Sequence, residues 1–89
     1  MKYSYPIDES WTTDEIVDVV NFFAQIEKAY EKGVYREDVI LAYQRFKQIV
    51  PSKSQEKQLD KEFEKHSGYS AYRVIKRARE MEGNEKIKM

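Results

Sequence analysis

Ser67-Gly68-Tyr69-Ser70-Ala71-Tyr72-Arg73-Val74-Ile75-Lys76-Arg77-Ala78-Arg79 sets a glycine turn against a short segment that carries a capping serine and several cations. The fold depends on whether this is the reading half of a helix-turn-helix or the last helix of a self-packed bundle. At about 100° per residue, Ala71, Val74, Ile75, Ala78 and Met81 fall on one arc, and Arg73, Lys76, Arg77, Arg79 and Glu80 fall on the other. A helix-turn-helix wants a small residue where Glu64 stands, an exposed one where Ile75 stands and an apolar one where Arg77 stands. Gly68, Tyr69, Ser70 and Val74 fit that motif, but these three positions oppose it. The apolar arc is therefore expected to face the protein's own core, with Gly68 ending one helix and Ser70 capping the next.

Working outward, Ser52-Lys53-Ser54-Gln55 offers a capping box that opens the preceding helix toward His66. Its apolar stripe is thin, little more than Leu59 and Phe63, which predicts peripheral packing. Lys53, Lys57, Lys61 and Lys65 form a ridge beside Glu56, Asp60 and Glu64. Acids and lysines at helical spacing form weak ladders, so this reads as a solvated, self-neutralised face. A helix from about Arg36 to Ile49 precedes it, with Val39, Tyr43 and Phe46 on one side, Pro51 as its stop and a poorly marked start.

The first helix is the best specified. Thr12-Thr13-Asp14-Glu15 is a capping box, Trp11 and Ile16 stand as a hydrophobic staple, and apolar residues recur from Ile16 to Tyr30 before Gly33. Val17 and Phe22 lie off the main stripe, so this helix should be central, and Phe22 is a candidate for contact with a second subunit. Tyr3, Tyr5, Pro6 and Ile7 read as an extended aromatic arm lying on the body. The expectation is an all-α fold: one compact helical domain of about four helices over 1–83, with a flexible tail at 84–89.

Composition narrows the function. Lys plus Arg and Asp plus Glu both number 16 in 89 residues, so no global field favours nucleic acid or membranes. The balance hides an asymmetry: residues 1–33 carry three basic and seven acidic groups, and residues 34–89 carry thirteen and nine. Opposed halves of this kind are expected to help the chain pack or dimerise. No apolar run approaches the roughly eighteen residues of a membrane span, and a cytoplasmic location is expected. There is no Cys, which excludes disulfides, thiolate metal sites and cysteine nucleophiles.

No catalytic constellation emerges. His66, the sole histidine, sits near a helix C-terminus with Glu62 placed as an ion-pair partner, and Ser67 beside it gains no reactivity from adjacency. Asp14 and Glu15 suit a helix dipole, and Asp8 with Glu9 lacks the loop spacing of an oxygen cage. With three glycines, all at expected helix ends, there is no phosphate-binding loop. The reading carries no catalytic residue, cofactor, metal or small-molecule substrate.

Tyr3-Ser4-Tyr5-Pro6-Ile7-Asp8, Trp11-Thr12-Thr13-Asp14-Glu15-Ile16, Arg45-Phe46-Lys47-Gln48-Ile49-Val50-Pro51-Ser52-Lys53 and Ser67-Gly68-Tyr69-Ser70-Ala71-Tyr72-Arg73-Val74 resemble a family of short, uncharacterised bacterial proteins of Bacillus-type Firmicutes. The resemblance runs from about Lys2 to Glu82. It implies a small cytosolic all-helical protein and brings no assigned activity, cofactor or catalytic residue. The functional expectation is a noncatalytic interaction module, with Tyr69, Tyr72, Arg73, Lys76, Arg77 and Arg79 as the candidate surface. Its partner would be another protein or a second copy. The alternative is a nucleic-acid-binding regulator using the helix-turn-helix-like segment at 52–82, which the charge balance disfavours.

Overall fold

The computed structural model describes residues 5–89 and contains four helices: α1 (Thr13–Glu31), α2 (Arg36–Ile49), α3 (Lys53–Ser67) and α4 (Ala71–Glu80). The all-α expectation holds, and the helix bounds follow the punctuation in the sequence. Thr12 caps α1 by a full capping box, its hydroxyl accepting from the Glu15 amide while the Glu15 carboxylate accepts from the Thr12 amide. Ser52 Oγ accepts the Gln55 amide at 3.3 Å, and Ser70 Oγ accepts the Arg73 amide at 3.2 Å. Gly68 stands at φ +81°, the left-handed cap that lets α3 stop and the chain turn into α4.

α1 and α2 form the principal contact, joined by aromatic rings. Phe22 stacks on Phe46 with ring centres 4.4 Å apart, Phe23 stacks on Phe63 at 4.5 Å, and Phe23 meets Phe46 edge-on. Stacked and edge-to-face pairs add about 0.5–1.5 kcal/mol each beyond their area burial. Phe22 is 1% exposed, so the suggested subunit contact is corrected: its ring fills the space between α1 and α2. Val17, the other residue off the stripe, is exposed. α4 contributes Ala71, Val74, Ile75 and Ala78 to the same core, whereas α3 sends in Phe63 as its one fully buried residue. α3 is peripheral for the reason its sequence suggests.

Tyr5 and Pro6 lie on the body. The Tyr5 ring stacks near both Phe23 and Phe63, its hydroxyl donates to Glu27, and Pro6 is buried. Tyr3, the first aromatic of the expected arm, lies outside the described residues. Trp11 and Tyr30 are partly buried against the core.

Residues 84–89 are placed differently from the expected frayed tail. Strand β1 (Val34–Tyr35) pairs antiparallel with β2 (Lys86–Ile87), Val34 opposite Ile87 and Tyr35 opposite Lys86. Ile87 is 1% exposed and the Met89 amide donates to the Ala29 carbonyl at 2.8 Å. The physical reason is the start of α2. Tyr35 stands at its N-cap with no capping side chain, and its first amides find their acceptors in the tail: Arg36 N–H on the Glu85 carbonyl, Glu37 N–H on Asn84 Oδ1. Orphan donors at a helix start need partners, and here a distant segment supplies them. At the same helix start, the Arg36 side chain reaches α4, its Nε donating to the Ala78 carbonyl at 2.6 Å.

Among the described residues, one ion pair joins the acidic and basic parts of the chain, Asp18 with Arg45 at 3.7 Å, and it is solvent-exposed. Such pairs contribute about 0–1 kcal/mol, so aromatic packing rather than the charge asymmetry holds the helices together. Among the described residues, no helix is long and apolar enough to cross a membrane.

Candidate functional site

Three helices converge on a cleft of about 530 Å³. α2 presents Tyr43 and Lys47, one turn apart; α3 presents Lys53, Glu56, Lys57 and Asp60; α4 presents Tyr72, Ile75, Lys76, Arg79 and Glu80. The spacings are those of one helical face in each case. Pro51 ends α2 and Ser52 restarts the chain as α3, which sets Glu56 against Tyr43 and Lys47.

Glu56 organises the interior. Its Oε1 accepts from Lys47 Nζ at 2.7 Å and its Oε2 from the Tyr43 hydroxyl at 2.9 Å. Both oxygens are thus engaged by donors from the neighbouring helix, in a partly buried setting where such charge-assisted bonds are strong. Tyr43 is pressed from the other side by Arg79, whose guanidinium carbon lies 5.5 Å from the ring centre. Burial, followed by the bond to Glu56, pushes the Tyr43 hydroxyl up to about 12, so it remains a donor at every ordinary pH.

Asp60 is the anomaly of the site. Its Oδ1 is shut off from solvent and has no hydrogen-bond partner. Burial pushes its carboxyl up to about 7, the neighbouring Glu56 and then Glu64 adding to the effect and Lys47 opposing it. The expectation of a solvated, self-neutralised α3 face is corrected at these positions. Glu56 and Asp60 turn toward α2, and among the described residues no lysine of α3 forms an ion pair. α3 has so few apolar groups that its inner face must include polar ones, and these collect beside Tyr43 and Lys47.

The structure divides the candidate surface taken from the sequence. Tyr72, Lys76 and Arg79 line the cleft, with Tyr72 67% exposed at its edge. Arg73 and Arg77 are exposed and are not among its lining residues. Tyr69 belongs to a different contact: its ring stacks on Tyr30 at 4.6 Å and its hydroxyl donates to Glu31 at 2.8 Å, pinning the α3–α4 turn to α1. Sequence reasoning missed Tyr43, Lys47 and Asp60 as site residues. The available signal was their matching one-turn spacing on either side of Pro51, Tyr43 with Lys47 and Glu56 with Asp60.

Ile75 is 6% exposed and Arg77 is exposed, so α4 turns toward its own domain the face that a recognition helix would offer to DNA. His66 is exposed and forms no ion pair with Glu62. Among the described residues, no cluster of three or more His, Asp or Glu is placed to hold a metal ion.

Fold and cleft together define a small all-α bundle protein, clipped by a two-stranded ribbon, with cations around a cleft between three of its helices. The chain belongs to the uncharacterised protein family UPF0223, which it matches over residues 2–88. It is 64% identical over 80 residues to the UPF0223 protein OB1419 of Oceanobacillus iheyensis, covering 90% of this chain and 91% of that one. It is 57% identical to the UPF0223 protein YktA of Bacillus subtilis over all 89 residues of both. The UPF0223 protein SUB0967 of Streptococcus uberis is 55% identical over 80 residues, 90% of this chain and 87% of that one. The family match extends past Glu82 and takes in the β2 strand.

Proposed function

We propose that the protein is a noncatalytic interaction module that docks an acidic segment of a partner protein in the cleft between α2, α3 and α4. The observation that carries this reading is the convergence of Lys53 and Lys57 from α3 with Lys76 and Arg79 from α4 on one cleft, none of the four in an ion pair among the described residues. Tyr72 and Ile75 add apolar surface beside these cations, the mixture that suits an acidic segment with apolar side chains. A cleft of about 530 Å³ accommodates a few side chains rather than a folded domain. The reading is noncatalytic because Tyr43 and Lys47 are both held by Glu56, and His66 is not among the lining residues. The reading takes the protein to act in the cytoplasm, in keeping with the lack, among the described residues, of a helix long and apolar enough to cross a membrane.

Fluorescence anisotropy with a labelled oligoglutamate peptide tests this. The wild type is expected to bind in a salt-sensitive manner, and the pair Lys76→Glu with Arg79→Glu to lose binding. Arg73→Glu with Arg77→Glu, which alters the same helix outside the cleft, should bind as the wild type does. Equal loss from both pairs would reduce the cleft to general charge attraction, and no binding by the folded wild type would remove the reading.

A further inference from the structure

Asp60 feels the charges of Glu56 and Glu64 on its own helix and of Lys47 on α2. It shares the cleft lining with Tyr43 from α2, Lys53 and Lys57 from α3, and Lys76, Arg79 and Glu80 from α4. The two donors best placed to stabilise a carboxylate, the Tyr43 hydroxyl and the Lys47 ammonium, are both held by Glu56. Asp60 is left with one oxygen sealed from water and no donor for it. A buried carboxylate without donors is costly, so this position accepts the neutral carboxyl more readily than the ion. The two forms offer a ligand opposite things, an O–H donor or only lone pairs.

We infer that Asp60 is a proton-linked specificity contact of this cleft: neutral, it donates an O–H from Oδ2, the oxygen that is not sealed off, to a carboxylate oxygen of the bound acidic segment, and ionised, it repels that segment. This rests on the docking of an acidic segment proposed above. An incoming carboxylate acts on Asp60 as Glu56 already does, favouring the neutral form, so binding takes up protons from solvent in proportion to the fraction of Asp60 that was ionised. The surrounding cations draw the acidic segment in and Asp60 decides the pH at which it stays. With its carboxyl pushed up to about 7, binding is level in mildly acidic solution and weakens as pH rises through neutrality.

The test uses the full chain and the labelled oligoglutamate peptide at constant ionic strength, at about pH 6 and about pH 8. The wild type is expected to bind roughly tenfold more weakly at the higher pH, the ratio of neutral Asp60 at the two values. Asp60→Asn, which keeps the size and a neutral donor, should bind with the same Kd at both. Calorimetry of the wild type near neutral pH in two buffers of different ionisation enthalpy should report proton uptake on binding. Wild-type binding of equal strength at both pH values, or with no proton uptake, overturns the inference and leaves the docking reading standing. A pH dependence that persists in Asp60→Asn also overturns it. No binding at either pH overturns both.

Discussion

Asn84 Oδ1 accepts the backbone amide of Glu37 at 3.0 Å, so a side chain 47 residues further along the chain caps the start of α2. The contact makes the last segment part of the fold. Replacing Asn84 by Ala is expected to cost about 1 kcal/mol, as for loss of any N-cap acceptor, and Asn84→Asp should retain most of it. Urea unfolding of the two variants checks this, and equal loss in both would show that an oxygen acceptor is not what matters there.

Ile87 gives a larger effect from the same segment. It is 1% exposed and sits opposite Val34 in the ribbon, so Ile87→Ala should cost about 2–5 kcal/mol through lost burial and the cavity left behind. Hydrogen exchange of the Tyr35 to Glu37 amides should accelerate more than exchange in the middle of α1. Unchanged protection at these amides would count against the ribbon as a clip.

Phe46 ties α2 into the ring cluster, touching Phe22 face-on and Phe23 edge-on. Phe46→Ala should cost about 3–5 kcal/mol, near the whole stability of many domains of this size. Phe46→Leu should fold with a smaller loss. A thermal melt of the Leu variant close to wild type would indicate that apolar volume matters here and ring stacking does not.

Asp60 makes the stability pH-dependent with a sign opposite to the usual paired carboxylate. Its folded-state carboxyl is pushed up to about 7 from the ordinary value of 3.8, so between these values the folded protein holds a proton that the unfolded chain has released. Stability therefore falls as pH rises through that window and levels off above it. Asp60→Asn should remove this contribution, stabilising the protein at pH 8 by up to a few kcal/mol while changing little near pH 4. Chemical denaturation across the range tests the sign, and a variant that gains equally at both ends would rule out titration of Asp60 as the cause.

The helices were legible because their signals are local. Thr12 with Glu15, Ser52, Gly68 and Ser70 act within a few residues of where they stand, and the structure uses each of them. The ribbon was not legible, since strands of two residues have no periodicity and the Asn84 cap spans most of the chain. The cleft was half legible. Lys76 and Arg79 showed on the helical wheel as part of a polar face, but the wheel cannot say which flank meets a neighbour, so Arg73 and Arg77 were grouped with them. Asp60 read as one more acid in a ladder because its distinguishing property, an oxygen without a donor, arises only when α2 packs against α3.

The ribbon has a consequence for the order in which the molecule is made. During synthesis, α1 through α4 emerge before Asn84, Glu85 and Ile87, leaving the first amides of α2 without their acceptors and the space beside Val34 unfilled. The ribbon therefore closes only once residues 84–89 have been made, so the start of α2 is completed after all four helices are in existence.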